Sequence, residues 1–263
     1  MNHHGTTALI TGASSGLGSE FARRLAVEGA HLILVARRKD RLEELAEELR
    51  TEHRIDVVVY DADLAQPGAG GNLAERIAAD GLTVDTLVNN AGTGNHGDFA
   101  ILDPEKLADE VQLNVGAVVD LTRALLPQMV RSGRGALVNV ASTSAYQPTP
   151  SMAVYGASKA FVLSFTEAIA YETRRSGLKV LCVSPGPMRT EFFDKLGTTR
   201  PGVGRWQNPQ QVVDLTLRTL DRRWMPPSVI SGALNAVPAV NDLPPGWVTP
   251  LDLPLIPGVG TIR

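Results

Sequence analysis

The stretch LITGASSGLGSEF, residues 9–21, decides the fold. An apolar run typical of a buried strand leads into Gly12, Gly16 and Gly18, and the residues after them have the apolar spacing of a helix. Glycines at such a turn let the backbone approach a pyrophosphate, and the first amides of the helix point towards it. The glycine spacing is wider than GxGxxG, and a plain tight turn is the alternative. The stretch predicts a strand–turn–helix unit that binds a nucleotide.

The rest of the chain repeats this alternation of strand and helix. Short apolar runs such as HLILVA, TLVNNA and KVLCVS are continuous rather than alternating, as in strands buried on both faces. Amphipathic helical patterns separate them, with longer ones at about 104–131, 153–176 and 209–222. The sequence therefore predicts an α/β fold. We expect a single doubly wound Rossmann-type domain over residues 1–263, with a mostly seven-stranded parallel sheet and helices on both faces.

Two segments depart from the alternation. Residues 187–206 are punctuated by glycine and proline and follow the sixth strand, which predicts a substrate lid; a fixed surface loop is the alternative. Residues 241–263 form a proline-rich tail that cannot be regular helix.

Composition excludes several classes of protein. The 263 residues carry a formal net charge of −3, which gives no electrostatic case for binding nucleic acid or an anionic membrane. No apolar run is long enough to span a bilayer, and no signal peptide is evident. The single cysteine, Cys182, lies in an apolar run and reads as buried and inert. We expect a cytoplasmic protein without a metal, membrane insertion or disulfides.

The end of the second strand predicts which dinucleotide binds. An acidic residue about 20 positions after the glycines usually holds the ribose diol of NAD, whereas an arginine suits the 2′-phosphate of NADP. Here Arg37 and Arg38 follow the strand, and no acid appears before Asp40. The arginines could also be solvated charges that open the next helix. We favour NADP(H) as the cofactor, with NAD(H) as the alternative.

The third and fourth strands also end in polar residues. Asp63 could accept a hydrogen bond from an adenine amino group, or it could cap the following helix. Asn89, Asn90 and Gly92 are unusual in a buried strand, but they suit the carboxyl edge of a parallel sheet, where ligands bind.

A tyrosine and a lysine one helical turn apart suggest an acid–base catalyst. Tyr155 and Lys159 share a helix face in YGASK, and Ser142 precedes them at the end of the fifth strand. Asn114 lies within a helix, where asparagine is unfavourable unless its side chain has other work. A free phenol titrates near pH ~10, and a nearby ammonium favours the phenolate.

Taken together, TGASSGLG, NNAG, Asn114, Ser142, YGASK and SPGPMRT resemble the short-chain dehydrogenase/reductase family, classical type. The resemblance implies that Tyr155 is the general acid or base, and that Lys159 binds the nicotinamide ribose and lowers the tyrosine pKa. It also implies that Ser142 bonds to the substrate oxygen and that Asn114 holds a water in a proton relay with Lys159. The residues predicted to bind the cofactor are Gly12, Ser14, Ser15, Gly16, Leu17, Gly18, Arg37, Arg38, Asp63, Leu64, Asn90, Ala91, Gly92, Tyr155, Lys159, Pro185, Gly186 and Thr190.

The function predicted from this resemblance is NADPH-dependent reduction of a ketone or aldehyde to an alcohol, or the reverse. A non-catalytic dinucleotide sensor and an NAD-linked alcohol dehydrogenase are the alternatives. Residues 94–99 and 187–206 are expected to line the substrate pocket, although Phe99, Phe192 and Phe193 could be ordinary packing. Thr143 and Ser144 are alternative hydroxyls to Ser142. We expect a homodimer or homotetramer, but VISGALNAVPAV replaces the glycine-rich C-terminal segment of many classical members, which puts the usual tetramer contacts in doubt.

Overall fold

The computed structural model of the chain describes residues 1–196 and 205–232. The predicted tail at 241–263 and the middle of the predicted lid lie outside these residues. The strands are β1 (Thr7–Thr11), β2 (His31–Ala36), β3 (Val57–Asp61), β4 (Thr86–Asn89), β5 (Ala136–Val140), β6 (Lys179–Ser184) and β7 (Ser228–Ile230). The α-helices are α1 (Gly16–Val27), α2 (Lys39–His53), α3 (Ala69–Ala79), α4 (Pro104–Val111), α5 (Ala117–Ser132), α6 (Ala153–Thr173), α7 (Glu191–Leu196) and α8 (Pro209–Leu220).

The seven strands form one parallel sheet in the order β3-β2-β1-β4-β5-β6-β7. Leu9 at the centre of β1 pairs with Ile33 of β2 on one side and with Leu87 of β4 on the other. The chain moves outward from β1 to β3 and then returns to pair β4 with β1. The carboxyl ends of β1 and β4 therefore border the crevice where open α/β sheets bind their ligands.

Helices cover both faces of the sheet, which confirms the predicted fold class. On one face, α1, α2 and α8 pack over a cluster that contains Ala8 and Ile10 of β1. On the other face, α3 and α5 pack over a cluster that contains Leu9. Successive residues of β1 thus point into different cores, and this is why its central residues Ala8, Leu9 and Ile10 are all apolar, with no alternation of polar and apolar residues.

The predicted helix at 104–131 contains a feature that the periodicity does not predict. A π-helical turn, Gln112–Gly116, separates α4 from α5. The π turn adds one residue to the winding and so changes which side chains face the sheet edge. The predicted helices at 153–176 and 209–222 end earlier, at Thr173 and Leu220.

Candidate active site

A cleft of about 360 Å³ opens at the carboxyl ends of β1, β4, β5 and β6. It collects the glycine turn, the arginines after β2, and Ser142, Tyr155 and Lys159. A second cavity of about 470 Å³ lies at the amino ends of the strands, beside Thr6, Gly135 and Lys179. It is larger, but it contains none of the predicted site residues. The first cleft is therefore the candidate active site.

The glycine turn is held by a close contact between α1 and the sheet. A β-carbon added to Gly18 would lie 2.3 Å from the carbonyl oxygen of Gly12 and 2.6 Å from Nδ2 of Asn90. Asn90 Nδ2 donates to the carbonyl of Thr11 at 2.8 Å, which ties the end of β1 to the end of β4. Gly18 is absent from the lining of the cleft. In this structure Gly18 permits the helix to pack, while Gly12 and Gly16 face the cleft.

Ser14 and Ser15 of the turn bind the guanidinium of Arg38. Arg38 Nη2 donates to Ser15 Oγ at 2.9 Å and to Ser14 Oγ at 3.1 Å. Arg37 lines the cleft but is exposed and forms none of these bonds. Of the two predicted arginines, Arg38 is therefore the one that is fixed at the glycine turn, residues 12–18, which is the predicted phosphate-binding turn (the phosphate turn).

The predicted residues at the ends of β3 and β4 have different roles in the structure. Asp63 lines the cleft, and its Oδ1 accepts from the amide of Ala65 at 3.2 Å, so it stabilises its own turn. Asn89 is buried and donates to Asn139 Oδ1 at 2.9 Å and to Thr122 Oγ1 at 3.2 Å. Asn89 therefore belongs to a buried polar network of the core. The other predicted residues here, Leu64, Asn90, Ala91 and Gly92, line the cleft.

Tyr155 lies on α6 beside Ser142. Burial raises the pKa of Tyr155 to about 12, a hydrogen bond with Ser142 acts in the opposite direction, and the charge of Glu110 raises the pKa further. Lys159 Nζ lies 5.8 Å from the centre of the tyrosine ring. Burial therefore dominates the pKa of Tyr155 in this structure, and the lowering of that pKa by Lys159 stays a prediction.

Lys159 is itself buried, with an exposed fraction of 5%. Its Nζ donates to the carbonyl oxygen of Val140 at 2.9 Å. Burial lowers the pKa of Lys159 to about 8, and the negative charge of Glu110 acts in the opposite direction. Lys159 does not make Cys182 a reactive thiol, because burial raises the pKa of this thiol to about 12. Lys159 is still mainly charged at neutral pH, but its charge is lost under mildly alkaline conditions.

Asn114 occupies the π turn and is completely buried. Its Nδ2 donates to the carbonyl of Thr93 at 2.9 Å and to Ser158 Oγ at 3.0 Å, and its Oδ1 accepts from the amide of Thr93 at 3.0 Å. A β-carbon on Gly92 would lie 3.1 Å from Asn114 Oδ1 and 3.3 Å from Lys159 Nζ. Asn114 therefore stands behind the cleft wall and fixes the loop beside Lys159.

Glu110, one turn before Asn114, was not predicted from the sequence. It is completely buried, and its Oε2 accepts from the amide of Asn95 at 3.0 Å and from Asn95 Nδ2 at 2.7 Å. Within residues 1–196 and 205–232, its Oε1 has no hydrogen-bond partner. Burial raises the pKa of Glu110, while the bonds from Asn95 and the charge of Lys159 lower it. Glu110 lies in a polar stretch with a helical pattern, and nothing in that stretch indicates that this acid is buried.

An apolar wall surrounds the tyrosine ring. A β-carbon on Gly94 would lie 3.1 to 3.2 Å from side-chain atoms of Met152, Tyr155 and Phe192. The ring of Phe192 lies 5.4 Å from that of Tyr155, and Phe193 packs against Trp206 at 4.9 Å. Phe192 and Phe193 line the cleft, as expected for a substrate pocket.

The expectation for residues 94–99 is largely wrong. Only Gly94 of this stretch lines the cleft. Asn95 is turned towards Glu110, and Phe99 is 62% exposed. Residues 187, 188 and 190–193 of the predicted lid line the cleft, whereas 197–204 lie outside the described residues.

The last predicted nicotinamide contacts also border the cleft. Pro185, Gly186 and Thr190 line it, and the methyl group of Thr190 would lie 3.2 Å from a β-carbon on Gly16. Thr190 thus stands directly across from the glycine turn. The cleft combines a phosphate turn, a fixed guanidinium and a serine–tyrosine–lysine group. This donor set fits a nicotinamide dinucleotide, and among the described residues no group of His, Cys, Asp or Glu is arranged to hold a metal ion.

The fold and this site define the class of dinucleotide-dependent oxidoreductases with a Rossmann-type sheet. Comparison with known proteins agrees: the family model described as short chain dehydrogenase matches residues 6–201, and the chain belongs to that family. In the described residues, no helix has both the length and the apolar character needed to cross a membrane.

Individual relatives are similar but varied in activity. The chain is 39% identical to sulfoacetaldehyde reductase 2 of Chromohalobacter salexigens, over 70% of this chain and 73% of that protein. It is 34% identical to a very-long-chain 3-oxoacyl-CoA reductase of Phaeosphaeria nodorum, over 83% of this chain but only 64% of the relative's length. Among solved structures, a short-chain dehydrogenase from Sphingobium yanoikuyae in complex with NADPH is 37% identical, with a TM-score of 0.78 over 86% of this chain and 87% of that one.

Proposed function

We propose that this protein is an NADPH-dependent carbonyl reductase that converts a ketone or aldehyde to an alcohol, with Tyr155 as the general acid. The observation that carries the proposal is the placement of Tyr155. Its ring lines the cleft, it shares a hydrogen bond with Ser142, and Lys159 lies beside its ring. A bound reduced nicotinamide supplies the hydride in this chemistry.

The protonation state of Tyr155 suits a general acid. With a pKa of about 12, Tyr155 holds its proton throughout the neutral range, so it can donate that proton to an oxygen that becomes negative. Ser142 supports the same oxygen through its hydroxyl group. Lys159, held on the Val140 carbonyl, supplies a positive charge next to the ring.

The remaining residues orient the reactants. Asn114 fixes the Thr93 loop, and we propose that it supports the proton relay with Lys159 that the family resemblance implies. The wall made by Met152 and Phe192 favours a substrate with an apolar group next to its carbonyl, and it excludes water from the tyrosine.

The preference for NADPH rests on Arg38, which is fixed at Ser14 and Ser15. A guanidinium matches a phosphate in charge and in geometry. The relative that was solved in complex with NADPH supports the same cofactor.

An assembly and a location complete the proposal. We propose a cytoplasmic homodimer or homotetramer, and the exposed aromatic side chains of Phe161 and Tyr171 on α6, 40% and 67% exposed, support an interface between subunits. Light scattering on the purified protein tests the oligomeric state.

The test of the proposed function is a panel of ketones and aldehydes with apolar and polar substituents, followed by the absorbance of the reduced nicotinamide. NADPH and NADH are used in parallel. We expect turnover of at least one apolar carbonyl compound with NADPH as the better cofactor. Tight NADPH binding without turnover of any compound would instead support the dinucleotide sensor, and a preference for NADH would overturn the cofactor assignment.

A further inference from the structure

A carboxylate occupies the position between two arginines at the mouth of the phosphate turn. Glu191, the first residue of α7, accepts from Arg38 Nη1 at 2.8 Å through Oε2, and its Oε1 accepts from Arg41 Nη1. The hydrogen bonds from Arg41 and Arg38 lower the pKa of Glu191 to about 2, so this carboxylate is charged at neutral pH. Glu191 and Arg38 both line the cleft.

This cluster is built on the phosphate turn itself. Arg38 contacts Glu191 with one end of its guanidinium and the hydroxyls of Ser14 and Ser15 with the other. Arg41 lies one turn further along α2, so both guanidinium groups converge on one anionic group. Two guanidinium groups around one set of oxygens is the arrangement that binds a phosphate monoester.

We propose that Glu191 competes with the 2′-phosphate of NADP(H) for Arg38 and Arg41, and that Arg41 is a second arginine that selects NADP(H). This inference rests on the proposed NADPH preference and adds two specificity-determining residues to it. Arg38 and Arg41 keep Glu191 as their partner when the cofactor is NAD(H), which carries a hydroxyl group at the 2′ position of the ribose. They exchange the carboxylate for the phosphate when the cofactor carries one.

The charges give the direction of the effect. Glu191 neutralises part of the positive charge that attracts a 2′-phosphate, and it would repel a phosphate bound to the same arginines. Removal of its charge should therefore strengthen the binding of NADPH and leave the binding of NADH nearly unchanged. The three side chains are 33%, 44% and 37% exposed for Arg38, Arg41 and Glu191, so solvent and salt screen their interactions.

The experiment measures the affinity of the purified full-length protein for NADPH, NADH and 2′-phosphoadenosine by calorimetry. Solvent and salt weaken partly exposed ion pairs, so the loss of two of them corresponds to an affinity change of about two- to thirtyfold. We expect Glu191→Gln to strengthen the binding of NADPH and 2′-phosphoadenosine by about this factor, with NADH within about twofold of wild type. Arg41→Gln should weaken NADPH binding by a similar factor and spare NADH.

Two controls make the result specific. Asp194→Asn removes the same charge from α7 and should leave the affinity for NADPH unchanged. In the double variant Arg41→Gln, Glu191→Gln, the gain in NADPH affinity from the glutamate change should be smaller. Only Arg38 then remains as the group for which the carboxylate and the phosphate compete. Thermal unfolding of each variant verifies that the fold is retained.

The outcomes distinguish a failure of this inference from a failure of the proposed NADPH preference. If wild type prefers NADPH but Glu191→Gln leaves NADPH binding unchanged or weaker, Glu191 positions the arginines and the proposed competition is wrong. If Asp194→Asn strengthens NADPH binding as much as Glu191→Gln does, the effect is one of net charge and the inference also fails. If wild type has no preference for NADPH, the proposed cofactor itself is wrong and the competition falls with it.

Discussion

Gly18→Ala should destabilise the protein through one steric conflict at the phosphate turn. The added β-carbon would meet the carbonyl oxygen of Gly12 at 2.3 Å and Nδ2 of Asn90 at 2.6 Å, and both distances are far below van der Waals contact. The backbone of Gly18 does not have a positive φ angle, so an alanine there meets no strain from its backbone conformation, and its higher helix propensity offsets only part of the steric cost.

The size of the effect follows from the atoms involved. Overpacking by a single carbon costs about 1–3 kcal/mol, and the upper part of this range applies because the nearest atom belongs to the backbone of the turn. For a domain of this size each kcal/mol shifts Tm by about 2–4 °C, so about 2–3 kcal/mol corresponds to a decrease of about 4–12 °C. The shift of the turn should also weaken NADPH binding.

The assay is thermal unfolding followed by circular dichroism, with Gly71→Ala as the matched control. Gly71 lies in α3, has no atom within 4 Å of an added β-carbon and does not have a positive φ angle. Alanine is favoured over glycine in a helix by about 0.5–1 kcal/mol, so the control should be neutral or slightly more stable. A Gly18→Ala protein as stable as Gly71→Ala would refute the close packing of α1 on the turn.

The remaining predictions concern charge and burial. Arg38→Gln should weaken NADPH binding by about tenfold or more, as expected for charge-assisted bonds of about 1.5–3 kcal/mol, with little change for NADH. Arg37→Gln should have a smaller effect, because Arg37 is exposed; equal losses in titrations of the two variants would contradict this ranking. Glu110→Gln removes a negative charge that raises the pKa of Lys159, so that pKa should fall below about 8 and the alkaline limb of the rate–pH profile should move to lower pH. An alkaline limb that does not move would show that Glu110 is only structural. Cys182 should resist alkylation of the native protein at neutral pH, since it is fully buried with a pKa of about 12, and rapid labelling followed by mass spectrometry would contradict its burial.

The local parts of this structure could be predicted because short segments specify them. The centre of a strand such as β1 is continuously apolar because both faces of the sheet are covered, so this continuous hydrophobicity predicts a parallel sheet. The glycine turn and the spacing of Tyr155 and Lys159 are likewise local patterns.

The parts that sequence reasoning missed depend on contacts between distant residues. Glu191 meets Arg38 and Arg41 across about 150 positions of the chain, and nothing in either segment indicates the pairing. The burial of Glu110 depends on a loop that folds over α4, and the raised pKa of Tyr155 depends on the whole environment of the cleft. Such features follow from tertiary packing, which the local pattern does not contain.

The central claim is that Tyr155 donates the proton in carbonyl reduction, and Tyr155→Phe tests it most directly. With a carbonyl compound that wild type reduces, turnover and NADPH affinity are measured for Tyr155→Phe and for the control Tyr171→Phe, whose exposed ring lies at the far end of α6. The account predicts that Tyr155→Phe lowers turnover by at least about 100-fold, as expected for loss of a general acid, while NADPH binds within about twofold of wild type and Tyr171→Phe remains fully active. A Tyr155→Phe protein that keeps more than about a tenth of the wild-type rate would contradict the account.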